Sequence, residues 1–154
     1  MKIHFEQVSD KELEIIVKGD INDSSTIKIL SILNSVSDFG KIILLSENES
    51  YIFDVNEVIY FETCLGKSYA YTADKKYEVK EKLSELIDDF SNKGFVQINK
   101  STIVNINFVK SISAEFSGNY TARLKNSNKT LTISQKYFNY FKKFIRRWVY
   151  EKNI

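Results

Sequence analysis

The residue types that most often carry catalysis are scarce in this sequence. His4 is the sole histidine and Cys64 the sole cysteine among 154 residues. A metal site needs three or four ligands brought together, and neither residue has partners at ligand spacing. A nucleophilic triad needs a base held by a third group, and no Ser-His-Asp or Cys-His arrangement is supported. His4 lies in an alternating apolar stretch, where a structural role is the better reading. Gly66-Lys67-Ser68 has the ending of a phosphate-binding loop, but that motif requires a glycine five residues ahead of Gly66, and Phe61 stands there. Asp88 and Asp89 fall on the polar side of a helical pattern, where solvation accounts for them. The sequence predicts no enzyme, no cofactor, no metal and no small-molecule substrate.

Hydrogen-bonding and charged groups remain. Residues 95–107, FVQINKSTIVNIN, form a strand-like apolar run broken by Asn99, Lys100 and Ser101 and resumed at Ile103 and Val104. A polar tip between two core-seeking arms predicts a presented loop. Charge is uneven along the chain. Residues 1–40 carry four Lys against seven Asp or Glu, or −3, although the whole chain is at +2. From residue 120 onward nine Lys or Arg stand against Glu151 alone, or +8. Such a block attracts a polyanion, because each phosphate neutralised releases condensed counterions. A solvated basic helix accounts for the same charge.

The elements that must position these groups are mostly strands. Residues 3–8 and 13–17 alternate around a Ser9-Asp10-Lys11 turn and predict a hairpin. Asp23, Ser24 and Ser25 offer N-cap oxygens to a helix bearing Ile29, Leu30, Leu33 and Val36. Residues 42–45 and 51–53 predict a second hairpin around polar residues 46–50, followed by a strand at 58–61 and a break at 62–67. Strands are expected at 68–72 and 77–79, then an amphipathic helix on Leu83, Leu86, Ile87 and Phe90 that Gly94 terminates. Past the polar tip, 109–112, 120–124 and 130–133 predict an antiparallel meander. Ser134 caps a closing helix whose Tyr137, Phe141, Phe144, Ile145 and Trp148 form a core-facing side. Nine Tyr, eleven Phe and no Pro fit one continuous β-rich fold without long linkers.

The order of motifs over residues 41–148 resembles the LytTR family of bacterial DNA-binding domains. The match rests on Val58-Ile59-Tyr60-Phe61-Glu62, Leu83 and Leu86, Phe95-Val96-Gln97-Ile98-Asn99-Lys100-Ser101, Val104-Asn105, and Ile133-Ser134-Gln135-Lys136-Tyr137. The resemblance implies an elongated, mainly antiparallel β fold with flanking helices, whose loops enter successive major grooves of duplex DNA, and a role in transcription regulation. It also implies three contact regions: Lys67 and Ser68; Asn99, Lys100 and Ser101; and Ser134, Gln135 and Lys136. The family usually carries Arg where Gln135 stands. Gln lacks the charge and fork that pair with guanine, but it can pair with adenine N6 and N7, so a shifted specificity is expected. Lys67 and Lys100 serve equally well as phosphate contacts. Asn99 and Ser101 can instead satisfy turn backbone groups, and Asn105 reads as structural.

Residues 1–40, an expected β-β-α segment, are too short for the receiver domain that many relatives carry. They read as an accessory or dimerisation segment ahead of a DNA-binding domain at 41–154. The resemblance is to small stand-alone regulators, which implies a homodimer on two spaced half-sites and control by a membrane protein. No apolar run reaches the roughly 20 residues of a bilayer span, no signal-peptide pattern opens the chain, and a lone cysteine asks for no oxidising compartment, so a cytoplasmic protein is expected. Cys64 reads as a small packed residue rather than a redox site. Two other classes compete: a protein-interaction module built on exposed aromatics, and a single-strand binder stacking bases on Tyr69, Tyr71 or Tyr120.

Overall fold

The computed structural model describes residues 16–20, 22–37 and 40–151, with side chains except at 33–37 and 151. The backbone forms two compact units, Met1–Asp38 and Phe39–Ile154. In the first, Asp23 starts helix α1 (Ser24–Ser37): its Oδ2 accepts from the N–H groups of Ser25 at 3.1 Å and Thr26 at 3.4 Å. That satisfies two donors which an uncapped helix start leaves bare. The helix forms where its cap predicts it. The expected N-terminal hairpin and His4 lie outside the described residues, except Ile16 and Val17, which are not in a strand.

The second unit opens with a hairpin of β1 (Lys41–Ser46) and β2 (Glu49–Asp54). Its connection is only Glu47 and Asn48, both at positive φ (49° and 66°), which is the pattern of a type I′ turn. That turn matches the twist of the flanking strands, so pairing continues to Ser46 and Glu49 rather than stopping at a longer polar loop. Next comes β3 (Tyr60–Cys64), later than the expected strand at 58–61, because a 3₁₀ turn at Val55–Glu57 intervenes. The expected break at 62–67 shrinks to Leu65-Gly66. Glu62 and Thr63 stay extended because Glu62 pairs with Tyr69 and Thr63 with Ser68, in β4 (Lys67–Tyr71). β5 (Lys76–Val79), helix α2 (Leu83–Phe90), β6 (Phe95–Asn99) and β7 (Thr102–Asn105) follow as the periodicity indicates. The seven strands make one antiparallel sheet in the order β2-β1-β5-β4-β3-β7-β6.

The expected meander forms a second antiparallel sheet, ordered β10-β9-β8, from β8 (Val109–Ala114), β9 (Tyr120–Leu124) and β10 (Thr130–Ile133). Helix α3 (Gln135–Glu151) closes the unit. No helix among the described residues is long and apolar enough to cross a membrane.

Burial explains why β3, β6 and β7 each carry apolar residues at adjacent positions, Tyr60-Phe61, Phe95-Val96 and Ile103-Val104. Successive strand residues point to opposite faces, and here both faces are covered. Phe61, Phe95 and Ile103 enter a core with Leu86 of α2, while Tyr60, Val96 and Val104 enter another with Leu131, Ile133 and Phe141 from the second sheet and α3. The central strands are thereby fixed between two layers. In β1, by contrast, Ile42 and Leu44 are buried while Ile43 is 55% exposed, as one covered face requires. Of the expected core-facing side of α3, Phe141 is fully buried and Phe144 and Ile145 pack on the same cluster, joined by Phe138. Tyr137 and Trp148 are only half-buried and stand outside it, Tyr137 lining a surface concavity and the Trp148 indole N–H donating to Asn107 Oδ1 at 3.4 Å.

Asn105, the last residue of β7, ties that strand to the segment leading into β3. It is fully buried; its Nδ2 donates to Val58 O at 3.0 Å, and its Oδ1 accepts from Asn107 N at 3.1 Å. Asn105→Ala removes both bonds and leaves a buried carbonyl without that donor. Urea unfolding is expected to show a loss of about 1–3 kcal/mol. A change within error would mean that water replaces the side chain at no cost.

Candidate nucleic-acid interface

The polar tip is a two-residue connection, Lys100-Ser101, between Asn99 of β6 and Thr102 of β7, which are themselves paired. Asn99 shapes it. Its Oδ1 accepts from Ser101 N at 2.9 Å and from Ser101 Oγ at 3.1 Å, closing a turn through the side chain. Its Nδ2 donates to Thr132 O at 2.8 Å, in β10. A register shift between Gln97 and Asn99 marks a bulge, which bends the strand end and re-aims its side chains. Asn99 and Ser101 therefore build the loop, and Lys100 is the side chain it exposes.

The same bonds draw the start of α3 to the tip. Ser134 N donates to Ile98 O at 2.9 Å, so the β10–α3 junction runs beside the end of β6. Asn99, Lys100, Ser134, Lys136 and Tyr137 line one concavity of about 460 Å³. Two of the three expected contact regions thus share a surface. The positive end of a 17-residue helix lies at that junction, which favours an anion nearby. Gln135 N donates to Asn119 Oδ1 at 3.1 Å, which docks the β8–β9 turn on the helix start. A Cβ at Gly118 would lie 3.0 Å from Gln135 Oε1, so the glycine admits that side chain closely.

The third region lies at the same end of the large sheet. β3 pairs on one side with β4, Cys64 opposite Lys67, and on the other with β7, Glu62 opposite Thr102. Thr63 N donates to Ser101 O at 2.9 Å, tying the end of β3 to the polar tip. The Leu65-Gly66 turn and the Lys100-Ser101 tip are two strand spacings apart, about 10 Å. Lys67 is exposed, with Nζ 3.6 Å from Glu78 Oε1, an ion pair that water screens and a phosphate could displace. Ser68 is only 7% exposed and points to the opposite face from Lys67, so of that pair only the lysine reaches solvent. Cys64, expected to be packed, is exposed at the end of β3, where it pairs with Lys67 beside the Leu65-Gly66 turn.

The basic groups of α3 divide by position. Lys136 faces the concavity, whereas Lys142, Lys143 and Arg146 line a separate exposed surface farther along the helix. The tyrosines proposed as stacking platforms are already engaged. Tyr71 stacks on Tyr60 with centroids 4.2 Å apart, Tyr120 stacks on Phe138 at 3.5 Å, and Lys76 Nζ lies 4.9 Å above Tyr69. Burial pushes the Tyr71 hydroxyl above its ordinary pKa, and the nearby Glu62 carboxylate adds to the shift.

Two residues at this end escaped the sequence reading. Leu65 is 99% exposed and sits at φ 52°, and Phe116, in the β8–β9 turn, is fully exposed. The signal was present as an apolar side chain inside each turn, flanked by Gly66 in one case and by Ser117, Gly118 and Asn119 in the other.

Residues 48–146 match the family model described as the LytTr DNA-binding domain. A transcriptional regulatory protein of Bacillus subtilis, NatR, is 21% identical over 105 residues, 68% of this chain but only 45% of NatR. An HTH-type transcriptional regulator of Staphylococcus aureus is 29% identical over 117 residues, covering 74% of this chain and 78% of that protein. Among solved structures, the LytTr DNA-binding domain of a Bacillus cereus protein described as a methyl-accepting/DNA response regulator superposes with a TM-score of 0.64 at 23% identity. It covers 68% of this chain and 95% of its own.

Proposed function

The chain belongs to the LytTr DNA-binding domain family, which makes it a DNA-binding protein of the regulator class, and we propose that it reads duplex DNA sequence-specifically by placing its loops in successive major grooves. One observation supports this most directly: Lys67, Lys100 and Lys136, from three separate elements, collect at one end of the fold around the polar tip. Lys100 and Lys67 reach base edges or phosphates, Lys136 and the α3 start hold phosphate, and Gln135 reads a base from the first position of α3. Asn99, Ser101 and Ser134 set the shape of the surface, and Ser68 acts through the strand that carries Lys67.

Selection from a random duplex library with the purified chain tests the reading. Recurrent enrichment of one motif is expected, with Gln135→Arg moving one position from adenine toward guanine, because Gln pairs with adenine and Arg with guanine. Each such base preference is worth about 1–3 kcal/mol. Uniform recovery of all sequences by both proteins would overturn sequence-specific recognition.

Two spaced half-sites fit a homodimer, with residues 1–40 as the assembly segment and 41–154 as the DNA-binding domain. Deleting 1–40 should yield a monomer, and a dimer that survives the deletion would sink that assignment. Control by a membrane protein, acting on a cytoplasmic regulator, belongs to the same reading. DNA affinity that depends on phosphorylation of the purified chain would count against it.

A further inference from the structure

Leu65 and Phe116 are anomalous by the physics of folding alone. Leu65 occupies a left-handed position, φ 52°, in a two-residue turn where Asn, Asp or Gly fits without strain. A branched side chain there is disfavoured, and at 99% exposure it recovers nothing by packing. Phe116 is held outward by a turn that is otherwise satisfied by its polar groups. Glu115 N donates to Asn119 O at 2.9 Å, Ser117 Oγ to Glu115 Oε2 at 3.0 Å, and Gly118 N to Glu115 O at 3.2 Å. The β8–β9 turn is in turn docked on the first residue of α3. Both apolar tips are therefore carried on well-determined loops rather than left on slack chain.

Their placement gives them an occupant. The Leu65 turn lies next to Lys67 and beside the Ser101 tip, and the Phe116 turn abuts the helix start that leads to Lys136. Apolar side chains carried next to lysine-bearing elements complement duplex DNA, which presents anionic rails with apolar groups between them. In the major groove, the apolar group at a base edge is the thymine 5-methyl. We propose that Leu65 and Phe116 are specificity-determining contacts that bury thymine methyl groups on either side of the lysine-lined surface. The proposal rests on the duplex-binding reading above. It adds a recognition term that the hydrogen-bonding residues cannot supply, because Lys and Gln do not distinguish thymine from uracil.

The test uses the full-length chain and its selected duplex, with each thymine replaced singly by deoxyuridine, which removes only the methyl. Wild type should lose roughly fourfold in affinity at each thymine whose methyl is buried. Leu65→Asn should fold at least as stably, since Asn tolerates positive φ, yet should bind the thymine duplex several-fold more weakly and lose the uracil penalty at one position. Phe116→Ala should do the same at another. Wild-type affinity and an unchanged uracil profile in both variants would overturn the proposal. Lys100→Ala run alongside separates the two levels. If Lys100→Ala weakens binding and the apolar variants do not, only this proposal fails. If no duplex is selected and Lys100→Ala changes nothing, the DNA reading fails and takes this proposal with it.

Discussion

Replacing Lys67, Lys100 and Lys136 together by alanine is expected to lower affinity for the selected duplex roughly a hundredfold, at about 1 kcal/mol for each lysine. The plot of log affinity against log salt should flatten by about three, because each phosphate contact contributes close to one counterion to the slope. The three residues differ in element and share a location: Lys67 begins β4, Lys100 forms the tip of the β6–β7 hairpin, and Lys136 is in the first turn of α3. Arg146→Ala and Arg147→Ala provide the contrast. They lie about 15 Å or more beyond the helix start, at 1.5 Å per residue, and should lower affinity less and equally for all sequences. Were the arginine pair to cost more than the lysine triple, the basic helix would be the polyanion surface and the loop-centred interface would be wrong. All of these side chains are exposed, so unfolding curves should hardly move.

Phe141→Ala is expected to cost about 3–5 kcal/mol in urea unfolding, as for other large aromatics deleted from a packed core. That is a large share of the 5–15 kcal/mol typical of a domain. Phe141 has no exposed surface and packs with Val96, Ile98, Ile133 and Leu131, so its ring joins α3 to both sheets. Phe144, only partly buried on the same side, should cost clearly less on truncation. The functional consequence follows from Ser134 N bonding to Ile98 O: the helix start and the polar tip are held in register by the layer that Phe141 fills. DNA affinity should therefore fall in the variant even at temperatures where it remains folded. A loss below about 1 kcal/mol would mean that α3 does not dock as described.

What the chain alone determined is local. Periodicity located α2 and α3, and alternation with turn residues located the strands of both sheets. Asn99-Lys100-Ser101 announced an exposed tip because three polar groups cannot be buried between Ile98 and Ile103 without partners. The motif order pointed to the family. Strand ends were less legible, since Glu62 and Thr63 are polar yet extended. Their conformation comes from pairing with Tyr69, Ser68 and Thr102, neighbours that no local propensity encodes.

Only the tertiary structure decided which polar residues face outward and which build the surface. Ser68 turned inward because strand alternation sets it opposite Lys67, with Ala70 on the buried face. Asn99 was consumed by Ser101 and by Thr132, a carbonyl 33 residues away in the sequence. Leu65 and Phe116 were passed over because apolar residues are read as core, and a side chain's exposure depends on what the rest of the chain brings near it. The gathering of Lys67, Lys100 and Lys136 at one end has the same origin. Sequence specifies each lysine and the element that carries it, but strand order and the docking of α3 on β6, both non-local, place them side by side.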